Sequence, residues 1–382
     1  MATDSTPVVL LFEDNGTIIE KFRKTLTPKL GKAIRLETFP LDQPPANNTK
    51  PYEDRVEDWI RASGFYDRIV LLVTDRDLST NSEHWSGLSQ TAVSGAARVL
   101  GLPVAGYRLQ AKPDIIDELK RIPGDGLIDL SPDVASRAAQ VANLAKGFVD
   151  LRKRIDQWHQ QVALDKKAGS AKRRGATPAA ASPGALLAGV LGQPMAAGHF
   201  DTFACGDQVA IGEILRFSRN SKVRMSEQVQ RSLVAALGVW LADLVMKYPG
   251  VLVNEVAAAS YLDIHPEDFA CADVRKLFKS ALYTKLPFED KASPLWWRHL
   301  LDEIVNNAHC SSGLDLCEKE GLAVRYCPCQ EDPKLHAGYY CMATGQPISG
   351  EKSSGRVRWF PPGADLARLK AKIYRKLSPW IG

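Results

Sequence analysis

Two short apolar runs, each closed by acid, constrain this chain more than any other feature in it. Val8-Val9-Leu10-Leu11-Phe12 runs into Glu13-Asp14, and Ile69-Val70-Leu71-Leu72-Val73 runs into Thr74-Asp75-Arg76-Asp77. Continuous apolar runs rich in β-branched residues, with an amphipathic stretch between them, read as buried parallel strands joined by a crossover helix. In open α/β sheets the carboxyl ends of neighbouring strands converge on one crevice, so Glu13, Asp14, Asp75 and Asp77 are expected to meet there. Packed carboxylates repel one another, and a divalent cation relieves the repulsion. The cluster of Glu13, Asp14, Asp75 and Asp77 is therefore a candidate metal site. Acids that are merely solvated, or that cap helix N-termini, account for the same residues without chemistry.

The intervening segments fit a three-layer α/β domain from about residue 7 to about residue 125. Residues 16–29 carry Ile18, Ile19, Phe22 and Leu26 at helical spacing, residues 34–39 alternate with period two, and residues 52–62 bring Val56, Trp59 and Ile60 onto one face. A small-residue helix over 88–100 and a strand over 102–107 follow. The expected domains are 1–128 (parallel-sheet α/β), 129–170 (helical connector), 171–200 (flexible linker), 201–305 (helical) and 306–382 (a cysteine-rich, basic α+β module).

Two family resemblances attach to these residues. Glu13-Asp14-Asn15, the later run ending at Asp75, and Lys112-Pro113 resemble the acid pair, phosphoacceptor aspartate and lysine-proline of response-regulator receiver domains. That resemblance implies Mg²⁺ on Glu13 and Asp14, phosphate on Asp75 and a contact from Lys112. Between Asp75 and Lys112, however, the sequence holds about one β-α unit fewer than a receiver does. Glu13 together with Asp75-Arg76-Asp77 is similar to the glutamate and Asp-x-Asp pair of Toprim domains. This second resemblance implies Mg²⁺ that polarises a phosphodiester, with Glu13, Asp75 and Asp77 as the catalytic acids and Glu13 as general acid or base.

The long helical stretch over 131–168 can cover the sheet or pair with a second subunit. Lys166, Lys167, Lys172, Arg173 and Arg174 lead into an Ala/Gly/Pro/Ser-rich segment near 175–198 that reads as a linker. Met225–Lys247 is expected as a buried helix, and 252–261, 267–277 and 300–305 as shorter ones. Of the adjacent Trp296 and Trp297, one is expected in the core. Tyr339–Met342 and Arg356–Phe360 read as strands, and 366–377 as a basic amphipathic helix.

Cys310, Cys317, Cys327, Cys329 and Cys341 crowd into one region together with His309 and His336. Cys317, Cys327, Cys329 and Cys341 make the tidiest four-thiolate Zn²⁺ site, with Cys310 and His336 as substitutes; free structural thiols are the alternative. The net charge of +5, from 49 basic and 44 acidic residues, permits a nucleic-acid surface without requiring one. The basic C-terminal module is the better place for it. No leader-like start and no apolar run of about 18 residues is seen, so a soluble cytoplasmic protein with no membrane partner is expected. The leading expectation is a metal-dependent nucleic-acid-processing protein that cleaves phosphodiesters in bacterial DNA processing or defence. The competing one is a receiver-like signalling or protein-interaction adaptor without turnover, with a protein partner or a second copy of the chain as its target.

Overall fold

The computed structural model describes residues 5–45, 48–76, 78, 84–108, 126–167, 182–203, 211–212 and 226–381. They form two compact units, each assembled from separate stretches of chain. The first takes in the described residues of 1–113, 124–180 and 206–242, and the second those of 114–123, 181–205 and 243–382.

The first unit is the expected parallel-sheet domain. Strands β1 (Val8–Phe12), β2 (Arg35–Thr38), β3 (Ile69–Asp75), β4 (Val104–Tyr107) and β5 (Leu127–Asp129) lie in the order β2-β1-β3-β4-β5, every pair parallel. Strand β5 is only three residues long, too short for periodicity to reveal. Helices α1 (Gly16–Leu30), α2 (Tyr52–Ala62), α3 (Gln90–Leu100) and α4 (Val134–Lys167) provide the outer layers.

The two sheet faces sort by alternation. Val8, Leu10 and Phe12 enter one core cluster with Val56 and Ile60 of α2 and Val93, Ala96 and Leu100 of α3. Phe39 and Trp85 seal its end against Phe12 and Trp59. Val9 and Leu11, equally buried, point to the opposite face, where α1 and α4 are joined by Lys146 Nζ donating to the Lys29 carbonyl at 2.7 Å. Asn15 starts α1 by accepting from the amides of Thr17 and Ile18, and Ser89 caps α3 through the Ala92 amide. The helix Glu227–Val239 also belongs to this unit. Its Arg231 reaches Asp67 at 2.6 Å and the Tyr66 hydroxyl at 3.0 Å. At Gly238 a methyl group would collide with the Phe148 ring, so the two helices pack at a distance only glycine permits.

The second unit departs from the sequence expectations in instructive ways. Within the stretch read as a flexible linker, Pro183–Val190 is a helix capped by Ser182, with Leu186 and Leu187 fully buried. Its Ala/Gly composition suits close packing: Asp201 accepts from the Gly184 amide at 2.8 Å and the Ser182 hydroxyl at 2.6 Å. Leu252–Asn254 is a strand, β6, ahead of the helix Glu255–Tyr261, and pairs antiparallel with β7 (Leu295–Trp297). Because β7 is extended, its adjacent tryptophans face opposite ways, and both are buried, at 2% and 1% exposure. Trp296 packs on Phe269, and Trp297 on Phe200 and Tyr283.

Strands β8 (Pro328–Cys329) and β9 (Asp332–His336) pair as a hairpin, and β10 (Tyr339–Cys341) lies between β11 (Gln346–Ile348) and β12 (Ala367–Arg368). The expected strand at 356–360 is irregular, and the C-terminal helix starts at Ala371 because Ala367 and Arg368 pair with β10. No helix among the described residues is long and apolar enough to cross a membrane.

One half-buried histidine sets a pH dependence for this unit. Both ring nitrogens of His299 are buried without a hydrogen-bond partner among the described residues, and its ring lies against His199 and Trp297. Burial, then the neighbouring His199, lowers its pKa below the ordinary value. The folded state therefore keeps His299 neutral while the unfolded chain takes up a proton near pH 6.5, so stability falls as pH drops through that value. The loss of urea stability between pH 7.5 and pH 5.5 is expected to be smaller in His299→Phe than in the wild type.

Candidate functional site

The register of the sheet builds a row of polar groups at its carboxyl edge. Phe12 lies opposite Thr74, and Asp75 opposite Tyr107. One residue on from Phe12, Glu13 comes level with Asp75 and Tyr107. Side chains at the same level of a parallel sheet share a face, so the three emerge on the α1/α4 side. All are buried: Glu13 at 1%, Asp75 at 3% and Tyr107 at 1% exposure.

The bonds within the row are specific. The Tyr107 hydroxyl donates to Glu13 Oε2 at 2.5 Å, and the Asn15 amide donates to Glu13 Oε1 at 2.9 Å. Both carboxylate oxygens of Glu13 are thus engaged. Burial raises the Glu13 pKa above its ordinary value; the two hydrogen bonds pull against that, while Asp75 and Asp14 add to it. Burial also raises the Tyr107 pKa, together with the charge of Glu13 and the bond to it, so the phenol stays protonated.

Arg137, in the first turn of α4, completes the arrangement. It is fully buried, its guanidinium lies 3.7 Å from the Tyr107 ring centroid, and the Phe22 ring of α1 is 5.9 Å away. Nε and Nη2 donate to the carbonyls of Ser131 at 3.1 Å and Pro132 at 2.5 Å, and Nη1 has no partner among the described residues. On the neighbouring strand end Arg76 pairs with Asp129. Beside the row, an open cleft of about 580 Å³ is lined by Glu13, Asp14, Arg23, Asp42 and His84 among others.

Glu13, Asp14 and Asp75 are therefore neighbours, as the strand ends required; Asp77 and Lys112 lie outside the described residues. Lys112 falls in the sequence between β4 and β5. Tyr107 and Arg137 were not singled out by the sequence. An apolar strand ending in tyrosine looks like ordinary core, and Arg137 sits in a charge-rich amphipathic helix.

The buried carboxyl has a testable consequence. A group whose folded pKa is raised stabilises the fold below its unfolded pKa and loses that contribution as pH rises through the folded one. At neutral pH the Glu13 charge opposes folding, and Glu13→Gln is expected to raise the urea midpoint of the first unit, with the gain shrinking toward pH 4. A midpoint lowered at pH 7 would contradict this.

The cysteines divide between two environments. Cys317 packs in the helical core of the second unit with Leu262, Leu316 and Val305, and burial raises its pKa to about 11. Cys329 and Cys341 pack with Ile348 in a separate cluster. Burial raises Cys327 to about 12. For Cys329 burial works in the same direction, but the Ser349 amide, at 3.3 Å, and further backbone donors bring the thiol below its ordinary pKa. His336 gives Nδ1 to Asp263 at 2.8 Å and stacks on Tyr326. Among the described residues no group of three or more His, Cys, Asp or Glu side chains is gathered to hold a metal ion, at either the acid row or the cysteines.

Fold and site together define a doubly wound α/β domain with a buried acid row at its switch point, followed by a mixed α+β unit. Compared with protein-family models, with curated proteins and with solved structures, the chain matches none.

Proposed function

We propose that the first unit is a receiver-like regulatory module that engages a protein partner and turns over no substrate. The observation that supports this reading best is the strand order β2-β1-β3-β4-β5, the doubly wound order shared by flavodoxins and receiver domains, with Glu13-Asp14 and Asp75 at the ends of the two strands flanking the switch point. The sheet reaches five strands only with β5, which follows Lys112, so in chain order Lys112 falls between β4 and β5 and not after the last strand. Glu13 accepts one hydrogen bond on each carboxylate oxygen, from Tyr107 and from Asn15, which holds its side chain in place within the row. Among the described residues no three acidic side chains are gathered to hold a metal ion, so this reading rests on no metal.

The test is Mg²⁺- or Mn²⁺-dependent hydrolysis of single-stranded, double-stranded and supercoiled DNA by wild type and Asp75→Asn. No cleavage above the variant's background is expected. Cleavage lost in Asp75→Asn overturns the proposal and restores the nuclease reading. Intact mass after acetyl phosphate with Mg²⁺ then separates a phosphorylated module, with an adduct at Asp75, from one that works without phosphorylation.

A further inference from the structure

The second unit carries an open cavity of about 610 Å³ unrelated to the acid row. Leu282, Tyr283, Pro294 and Trp296 are the apolar part of its lining, and Arg275, Lys276, Lys279 and Lys291, all exposed, are the cationic part. That volume lies within the roughly 300–1,000 Å³ of small-molecule sites, whose apolar linings carry a few placed polar groups. Tyr283 and Trp296 are each only 2% exposed. Most of their surface is already covered, so a bound ring system would rest mainly on Leu282 and Pro294.

The charged groups differ in their commitments. Arg275 pairs with Glu255. Lys276, Lys279 and Lys291 are exposed and enter no salt bridge with the described residues. The two acids of the wall serve the loop instead. Glu289 accepts from the Thr284 hydroxyl at 3.2 Å and the Lys285 amide at 2.5 Å, and Asp290 from the Ala292 amide at 2.9 Å.

This loop is built against a conformational cost. Lys285 and Phe288 sit at φ 56° and 63°, the left-handed region that side-chain-bearing residues avoid. Each such residue costs on the order of 1 kcal/mol or more and persists where its surroundings enforce it. Here the Tyr283 hydroxyl donates to the Pro287 carbonyl at 2.7 Å, and Glu289 fastens the turn. The wall is therefore shaped before any ligand arrives.

We propose that this cavity binds a phosphate-bearing heterocycle, with its ring on the apolar side and its phosphate among Lys276, Lys279 and Lys291. Compact ammonium charges on flexible stems suit phosphate oxygens. A simple anion leaves the apolar wall unused, and an uncharged ring gains nothing from the three exposed ammonium groups. The concave shape admits a single nucleotide unit and excludes a duplex. Two sources share this chemistry, a free nucleotide and the end of a single strand.

Calorimetric titration of the full chain with AMP, ATP, a 5′-phosphorylated single-stranded oligonucleotide and pyrophosphate tests the site. At least one ring-bearing ligand is expected to bind about tenfold or more tighter than pyrophosphate. Lys276→Gln/Lys279→Gln/Lys291→Gln should weaken it about tenfold or more. Ala272→Trp, at an exposed position in the wall, should weaken it comparably while changing no charge. Binding by mononucleotides assigns the site to free nucleotides, and binding by the oligonucleotide alone assigns it to strand ends. No binding up to about 1 mM, binding unchanged by Ala272→Trp, or pyrophosphate binding as tightly as the ring-bearing ligands would overturn the proposal.

Discussion

Arg137→Ala is expected to destabilise the first unit by roughly 3 kcal/mol. The side chain is wholly buried, donates to two carbonyls and covers the Tyr107 ring. Hydrogen bonds from a charged donor contribute roughly 1.5–3 kcal/mol each, and truncation also leaves a cavity. Against these stands the cost of keeping a guanidinium out of water with Nη1 unpartnered. Arg137→Met fills much of the space without the charge and should recover part of the loss. Urea unfolding followed by hydrogen exchange at the β4 amides confines the measurement to this unit, which matters because two units need not unfold together. A midpoint within experimental error of wild type in Arg137→Ala would remove Arg137 as a structural keystone.

Gly250→Ala should cost the second unit as much, by a different mechanism. A methyl group at 250 would run into the Gly363 carbonyl oxygen, and it would lie 2.8 Å and 2.9 Å from the Phe203 ring. Neither neighbour has room to retreat. Gly363 is itself at φ 92°, with Thr202 and Phe203 where its own side chain would go. The approach is held by backbone bonds from Gly250 to Leu252 and from Leu366 to Pro249. Overpacking of this kind costs about 1–3 kcal/mol, and more where the obstacle is backbone. Gly198→Ala provides the opposite case within the same unit. It is helical, with nothing within 4 Å of an added methyl, and is expected to be neutral or stabilising by about 0.4–1 kcal/mol. Thermal melts of the two variants should therefore move apart.

The parts of the fold legible in the sequence were those governed by local pattern. Apolar runs closed by acid gave β1 and β3, and the spacing of Phe22 with Leu26 and of Val56 with Ile60 gave α1 and α2. Elements whose shape depends on distant partners were not legible. Strand β5 is defined by pairing with β4, and β7 by pairing with β6, although Leu295–Trp297 has no alternation of its own. The helix at 183–190 hid in a composition typical of linkers because small residues also suit close packing. Within the site, the acids at the strand ends were visible, since topology alone brings such positions together. The Tyr107 bond that engages Glu13 depends on register, which one sequence does not display.

The interleaving of the two units bears on how the chain folds as it is made. The helix Glu227–Val239 packs into the first unit, through Arg231 with Asp67 and Gly238 with Phe148, although residues 182–203 of the second unit are synthesised before it. A nascent chain that has emerged only as far as α4 thus lacks part of the first unit's outer layer. The helix at 183–190, by contrast, finds partners in its own stretch, where Asp201 holds Ser182 and Gly184. At about 5–20 residues per second, the 60 positions from the end of α4 at 167 to the start of the helix Glu227–Val239 leave the first unit's surface open for about 3–12 seconds, long enough for chaperone capture to compete with folding.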